Sequence, residues 1–291
     1  MRRRRGFLWR REQSSLVASH VPLLALGSAV SWGSGDYVGG LASRRGSVHR
    51  VTVASQLLGL ILLSALAVAM REALVWRTGF LWAIGAGLAG GAALLALWRS
   101  LAIAPMGIGA PVAAVVSGAL PVIAGIVVEG APSVLTMAGF ALALGGIWLV
   151  SRTRDVRGRE GFALALLAGS GFGLYYVLID RAVLSGIFWP LVAGRVASFS
   201  VVSILAAVAG ELRPPGGRSA GLALLSGVFD VGGNVLFVLA AAAGRLDVAS
   251  VLASLYPAMT VALARVALKE RLARHQALGA AAILVAIPLI V

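Results

Sequence analysis

Long apolar runs, each about 20 residues long and separated by short joints rich in Arg, Pro and Gly, recur along almost the whole chain. A helix of about 20 apolar residues crosses the hydrocarbon core of a bilayer, and it satisfies its own backbone hydrogen bonds there. With 59% hydrophobic and 12% charged residues in a length of 291, little sequence is left for a water-soluble domain. The pattern predicts an all-α integral membrane protein and excludes most soluble enzyme folds.

The joints between these runs define ten expected transmembrane helices. They cover residues 20–43, 48–70, 79–99, 105–128, 133–151, 160–182, 187–210, 219–243, 246–267 and 273–291. Residues 1–19 precede them as a basic N-terminal tail, and residues 152–159 are the most polar interior stretch. Because this stretch divides the spans five and five, we expect it to link two halves, residues 20–151 and 160–291.

The two halves show weak internal similarity. Residues 29–38 (AVSWGSGDYV) resemble residues 169–178 (GSGFGLYYVL), and residues 115–121 (VVSGALP) resemble residues 251–257 (VLASLYP). An odd number of spans per half inserts the second half upside down. The similarity therefore predicts two inverted five-helix repeats, related by a pseudo-two-fold axis in the membrane plane, as in many transporters.

Basic residues outnumber acidic ones by 25 to 11, which gives a formal net charge of +14. In a soluble protein such an excess indicates a nucleic-acid partner. Here the arginines lie mostly in short clusters between apolar runs, where basic residues set membrane topology, so no nucleic-acid partner is expected. The chain has no Cys, and its three His are scattered singly near span ends. We therefore expect no metal, no cofactor and no enzymatic activity.

The same charges give two opposing signals for membrane orientation. Fourteen Lys and Arg lie on the side of the loops that follow odd-numbered spans, whereas four lie on the opposite side, or ten when the N-terminal block is included. By the positive-inside rule, the loops favour external termini and the N-terminal arginines favour cytoplasmic ones. We take cytoplasmic termini as the expectation, because the family resemblance described next agrees with them.

Several short motifs resemble the EamA type of the drug/metabolite transporter superfamily. LYP at 255–257, KER at 269–271 and QALG at 276–279 resemble its closing signature, and SWGSGD at 31–36 resembles the start of its first helix. Arg195 falls where an Arg is often seen in the seventh helix of that family. The resemblance implies a ten-helix bundle of two inverted repeats that moves small molecules through a central cavity by alternating access.

The function implied is secondary transport, with export of small metabolites such as amino acids, or of drugs. The implied setting is the plasma membrane, here a bacterial inner membrane, with protons as the coupling ion and the chain as monomer or homodimer. Two alternatives stay open. A membrane enzyme that handles a phosphorylated lipid carrier would need clustered polar groups at an interface, and a non-transporting scaffold would tolerate Ala at the candidate site residues.

Three ionisable residues fall within predicted spans: Asp36, Arg195 and Asp230. Each costs about 2.5 to 3.5 kcal/mol at a helix centre on insertion scales, so such groups face protein or water. Asp36 and Asp230 could bind a cationic or zwitterionic group or carry a coupling proton, and Arg195 could bind a carboxylate or phosphate. The alternative interpretation is a structural Asp–Arg pair that only holds the bundle together.

Other polar and aromatic residues at similar depth complete the expected site. Trp32 shares a helical face with Asp36, and Asn234 shares one with Asp230. Tyrosines could offer a ring face together with a hydroxyl, although packing or an interfacial belt explains many such residues. The predicted substrate-binding set is Trp32, Asp36, Gln56, Tyr176, Arg195, Asp230, Asn234, Ser254 and Tyr256.

Proline and glycine carry two further expectations. Pro111 and Pro121 in the fourth span and Pro257 in the ninth interrupt backbone hydrogen bonding, so they are hinge candidates or tolerated kinks. Glycine pairs four residues apart, at 35/39, 87/91 and 169/173, predict close helix packing. The GxGxxG pattern at 85–90 lies in an apolar span with no strand before it, so it predicts packing and not dinucleotide binding.

Overall fold

The computed structural model describes residues 20–74, 77–103, 106–151, 159–268 and 274–290. These residues form eleven α-helices and no strand, which confirms the all-α prediction. The predicted N-terminal tail, linker residues 152–158 and the KER motif at 269–271 lie outside them. The helices are α1 (Val21–Arg45), α2 (Val48–Ala69), α3 (Gly79–Ile103), α4 (Met106–Glu129), α5 (Val134–Ser151), α6 (Arg159–Ala182), α7 (Phe188–Val208), α8 (Gly217–Ala243), α9 (Leu246–Ala253), α10 (Tyr256–Leu268) and α11 (Arg274–Ile290).

Six stretches of the described chain are long and apolar enough to cross a bilayer. They are Val48–Ala69, Gly79–Ile103, Glu160–Ala182, Phe188–Val208, Gly217–Ala243 and Leu246–Ala264. The fourth and fifth helices contribute shorter apolar segments, Val112–Val127 and Val134–Leu149. Large apolar side chains such as Ile61, Leu81 and Ile204 point outward, which suits a surface in contact with lipid tails. The chain is a multi-pass membrane protein.

The ninth span differs from its prediction, because residues 246–267 do not form one continuous helix. The structure has two helices, α9 and α10, separated at Ser254 and Leu255. Pro257 has no N–H to continue the helical ladder, and the hydroxyl of Ser254 donates to the Ser250 carbonyl at 2.6 Å. Pro121, in contrast, lies inside α4, which stays helical from Met106 to Glu129. Proline therefore breaks one of the two paired spans and not the other.

Helices of the two halves interlock. The most extensive contacts join α1 to α8, α3 to α6 and α7, α4 to α6, and α5 to α11, while α2 packs on α7 and α8. The pair α9 and α10 packs on α1. Every one of these contacts joins a helix before residue 152 to a helix after residue 158, so neither half builds its core alone.

Glycine allows the closest of these contacts, as predicted from the small-residue pairs. A Cβ at Gly87 would overlap the carbonyl oxygen of Gly194, because α3 and α7 touch backbone to backbone there. A Cβ at Gly169 would lie 2.6 Å from the carbonyl oxygen of Ala113, where α6 meets α4. The GxGxxG pattern at 85–90 lies within α3, in helical backbone. Its glycines serve helix packing.

Helices α2 and α7 end in the same backbone motif. Arg71 and Gly210 adopt left-handed conformations, with φ of 52° and 69°. The next residue of each then bonds five residues back, Glu72 N–H to the Ala67 carbonyl at 3.3 Å and Glu211 N–H to the Ala206 carbonyl at 2.7 Å. This is a Schellman ending, which satisfies carbonyls that the helix leaves open.

The glutamate that follows each ending reaches the start of the other helix. The Glu72 carboxylate accepts hydrogen bonds of 2.6 to 3.1 Å from the backbone N–H groups of residues 187–189, at the beginning of α7. Glu211 forms a 2.5 Å ion pair with Arg50, in the first turn of α2. We call these two contacts the α2–α7 clamp. It joins the two helices at both ends.

Candidate functional site

A cavity of about 70 Å³ lies between helices of both halves. Its lining comes from α1, α2, α3, α6, α7 and α8, together with Tyr256, the first residue of α10. Eight of the nine residues predicted as substrate-binding line it: Trp32, Asp36, Gln56, Tyr176, Arg195, Asp230, Asn234 and Tyr256. The structure thus brings these side chains together, and their role in binding a substrate stays a prediction.

Arg195 is buried beside the cavity, with 6% of its surface exposed, and its guanidinium contacts two other lining residues. Its Nη1 lies 2.5 Å from Asp230 Oδ2 and also donates to Gln56 Oε1, so the guanidinium joins α7 to α8 and α2. Gly59 makes room for it, since a Cβ there would lie 3.2 Å from Arg195 Cζ. This is the Asp–Arg pair of the structural interpretation, and the pairing compensates both buried charges.

The network continues beyond this pair. Asn234 Nδ2 donates to the backbone carbonyl of Asp230 at 2.6 Å and to its Oδ1 at 3.1 Å. The Tyr175 hydroxyl in turn donates to Asn234 Oδ1. A polar chain therefore runs from Gln56 through Arg195, Asp230 and Asn234 to Tyr175, and it connects four helices. The sequence pointed to Tyr176 more than to Tyr175, because helical position alone does not show which of two adjacent rings meets a polar partner.

Asp36 stands apart from this chain. Its Oδ1 accepts a hydrogen bond of 3.1 Å from Trp98 Nε1, whose ring lies against Gly39. Within the described ranges, Asp36 forms no ion pair with any Arg or His. Trp98 is 1% exposed and absent from the sequence-based candidates. A tryptophan near the end of a predicted span is typical of the membrane interface, so the sequence did not indicate that Trp98 would donate a hydrogen bond to Asp36.

Aromatic rings form one wall of the site. The rings of Trp32 and Tyr176 stack with centroids 5.7 Å apart and an angle of 27° between their planes. Phe237 packs against both, 4.6 Å from Tyr176 and 5.5 Å from Trp32. The buried Tyr256 hydroxyl has no hydrogen-bond partner among the described residues. Buried hydroxyls are nearly always paired, so this one is available to a molecule in the cavity.

Ser254 is the exception among the predicted site residues, because it does not line the cavity. Its hydroxyl donates to the Ser250 carbonyl of its own chain segment, and its side chain faces Gly118 of α4. A serine hydroxyl inside a helix often bonds to the carbonyl four residues before it and so becomes unavailable to a ligand. The structure therefore assigns Ser254 to the break between α9 and α10.

The model of the EamA-like transporter family matches residues 159–291. One crystal structure of a similar protein superposes on this chain with a TM-score of 0.75 at 18% sequence identity. It covers 93% of this chain and 96% of the other, and at this identity the likeness concerns the fold alone. No curated protein sequence matches the chain.

The family match falls on the half that supplies Tyr176, Arg195, Asp230, Asn234 and Tyr256 to the cavity. It includes all of the second predicted repeat. The resemblance to the drug/metabolite transporter superfamily is thus confirmed over residues 159–291.

Proposed function

We propose that the chain is a secondary transporter that exports small metabolites or drugs by alternating access to the cavity. The observation that carries the proposal is the polar cavity between helices of both halves, in a membrane protein whose second half matches a transporter family. Secondary transporters place their substrate site at such an interface between halves. A transport role also agrees with the expectation that the chain is not an enzyme.

We further propose that the halves are inverted five-helix repeats, with α9 and α10 together counting as one span. The packing supports this, because exchanging each span of one half with the equivalent span of the other half, five places along the chain, relates one contact to another. The contact of α1 with α8 corresponds to that of α6 with α3, and the contact of α4 with α6 corresponds to that of α9 and α10 with α1. The matching ends of α2 and α7 also fit a pseudo-two-fold relation. Rocking of one half against the other would then open the cavity to alternate sides.

Coupling to protons through Asp36 or Asp230 is part of the proposal, since both carboxylates line the cavity. A carboxylate that carries a proton in one state and releases it in the other would link substrate movement to the proton gradient. The proposed location is the plasma membrane, with cytoplasmic termini. A reporter fused to either terminus would overturn this orientation if it were active only outside the cytoplasm.

The direct test is flux into proteoliposomes that contain the purified full-length chain. A panel of amino acids, sugars, amines and drugs is offered with and without an imposed pH gradient, and empty vesicles serve as the control. We expect at least one class of solute to cross faster than in empty vesicles, and the gradient to change its rate. Equal rates in loaded and empty vesicles for the whole panel would contradict the transporter proposal.

A further inference from the structure

We infer that the cavity selects small organic cations, such as amines or quaternary ammonium compounds, over zwitterions and anions. The inference rests on the proposed transport function, which it narrows to one substrate class. Three features of the cavity favour such a cation: its charged side chains, its aromatic surface and its size.

The lining contains one more acidic side chain than basic ones. Asp36 and Asp230 are its carboxyl groups, and Arg195 is its guanidinium. Arg195 and Asp230 compensate each other at 2.5 Å, which leaves the Asp36 carboxylate in excess. A buried charge without a partner of opposite sign is costly, and a cation in the cavity would supply that partner.

A substrate carboxylate has no comparable partner. Arg195 is the cation of the lining, and its Nη1 already contacts Asp230 and Gln56. A second carboxylate brought to this guanidinium would lie close to Asp230, and like charges at such a distance repel each other. In a zwitterion, attraction between the ammonium group and Asp36 would therefore be offset by repulsion between the carboxylate and Asp230.

The aromatic wall favours the same class of ligand. Trp32 lies one helical turn before Asp36 on the same face of α1, and its ring stacks with Tyr176. Aromatic faces attract ammonium groups, and cages of such rings recognise quaternary ammonium ligands. The Tyr256 hydroxyl, which has no hydrogen-bond partner among the described residues, lines the same cavity. It can accept a hydrogen bond from an N–H group or form one with a hydroxyl of the ligand. A carboxylate beside these rings can hold a cation by charge and by ring faces together.

The size of the cavity limits the ligand. At about 70 Å³ it is far below the volume of drug-sized pockets, which is roughly 300 to 1,000 Å³. In this conformation it suits a molecule of a few heavy atoms. Small amines and choline-sized ions fall in this range, whereas large amphipathic drugs do not.

The experiment compares ligands of one shape and different charge. Choline, glycine betaine and 3,3-dimethylbutan-1-ol form one set, and isobutylamine, valine and 2-methylpropan-1-ol form another. Binding to the purified full-length chain in detergent is measured by titration calorimetry. We expect the cation of at least one set to bind about ten-fold or more tightly than its zwitterionic and neutral counterparts.

A variant pair then assigns the selectivity to Asp36. Asp36→Asn keeps the shape of the side chain and removes its charge, so the preference for the cation is expected to vanish while binding of the neutral compound stays unchanged. The matched control is Glu160→Gln, the same change in an exposed carboxylate outside the cavity, which is expected to keep the preference. If Asp36→Asn does not fold, the affinity order of the unmodified chain alone decides.

Equal affinities within every set, tighter binding of a zwitterion, or the absence of cation binding would overturn the inference. So would a folded Asp36→Asn variant that still prefers cations. The vesicle assay separates this failure from that of transport. Flux of zwitterions without cation binding would leave the transporter proposal standing, and cation binding without any flux would contradict transport alone.

Discussion

Arg195 and Asp230 form a buried pair of opposite charges, with side chains 6% and 15% exposed. Removal of one partner leaves the other charge buried without compensation, which typically costs about 3 to 5 kcal/mol. We therefore expect Asp230→Asn and Arg195→Gln each to lower the free energy of unfolding by that order. The double variant should lose less than the sum of the two, because neither charge remains. Denaturant titration of the purified protein in mild detergent measures all three.

The exposed pair between Arg99 and Glu160 is the control for this comparison. Its side chains are 49% and 65% exposed, and such pairs contribute about 0 to 1 kcal/mol. Glu160→Gln should thus change stability little. Additive losses in the Arg195 and Asp230 double variant would show that the two side chains are not coupled.

Gly87 allows a second prediction, on the packing of α3 against α7. Gly87→Ala places a methyl group onto the Gly194 carbonyl oxygen, and the helices must separate to admit it. We expect a loss of about 1 to 3 kcal/mol, the usual cost of overpacking. Gly85→Ala is the control, because its methyl group would lie 3.4 Å from Leu178 in ordinary contact. Melting temperatures from size-exclusion of heated samples test the pair, and equal values would contradict the packing argument.

Sequence reasoning found most cavity residues for a physical reason. Charged and amide side chains such as Asp36, Gln56 and Asn234 are costly in lipid, so their presence in a span predicts an inward position. Aromatic residues carry no such signal, since Trp98 and Tyr175 would also be stable at the membrane interface. Ser254 lies outside the cavity lining, and its hydroxyl bonds within its own chain segment, which sequence position alone does not reveal.

At the scale of helices, the α2–α7 clamp predicts an asymmetry between two glutamates. Glu72 caps three backbone N–H groups at the start of α7, whereas Glu211 makes a partly exposed ion pair with Arg50. Loss of a helix cap costs about 0.5 to 2 kcal/mol, and loss of a solvent-accessible ion pair about 0 to 1 kcal/mol. We expect Glu72→Ala to be the more destabilising of the two alanine variants in denaturant titration.

Glu72→Gln separates the contribution of the negative charge from that of the hydrogen bonds. Its amide oxygen can still accept hydrogen bonds, but it lacks the negative charge that favours the positive end of a helix dipole. Its stability should therefore lie between those of the unmodified chain and Glu72→Ala. A Glu211→Ala variant less stable than Glu72→Ala would refute the capping role.

Helix boundaries followed from the apolar pattern in most of the described chain, and the ninth span shows where that pattern stops being informative. Residues 246–264 are apolar enough on average to count as one span, so hydropathy gives no sign of the break between α9 and α10. Pro257 was a candidate kink, yet Pro121 sits in an unbroken helix. The effect of a proline depends on whether nearby groups can satisfy the freed carbonyls, and that is a property of the packed structure.

At the scale of the whole molecule, the interlocked packing predicts that the halves cannot fold separately. Residues 1–151 or 152–291 produced alone would expose the glycine faces that α3 and α6 bury in the other half. We expect each half alone to be degraded, and the two produced together with different tags to purify as one complex. Stable accumulation of either half by itself would contradict this prediction.

The sequence did not predict which helices pack against each other. Ala, Leu, Gly and Val dominate both lipid-facing and interior surfaces, so composition does not tell one side of a span from the other. The glycine pairs at 87/91 and 169/173 mark contact faces correctly without naming the opposite helix. Only the assembled bundle shows that these faces meet across the two halves.

The α2–α7 clamp also bears on how the protein enters the membrane during synthesis. Glu72 and its partner Ile187, the residue before the start of α7, are 115 residues apart in the chain. A ribosome that makes the N-terminal part first delivers α2 to the bilayer long before the backbone groups it must cap exist. We therefore expect the carboxylate of Glu72 to stay hydrated at the membrane surface until α7 arrives, and the first six helices to form an insertion intermediate until then.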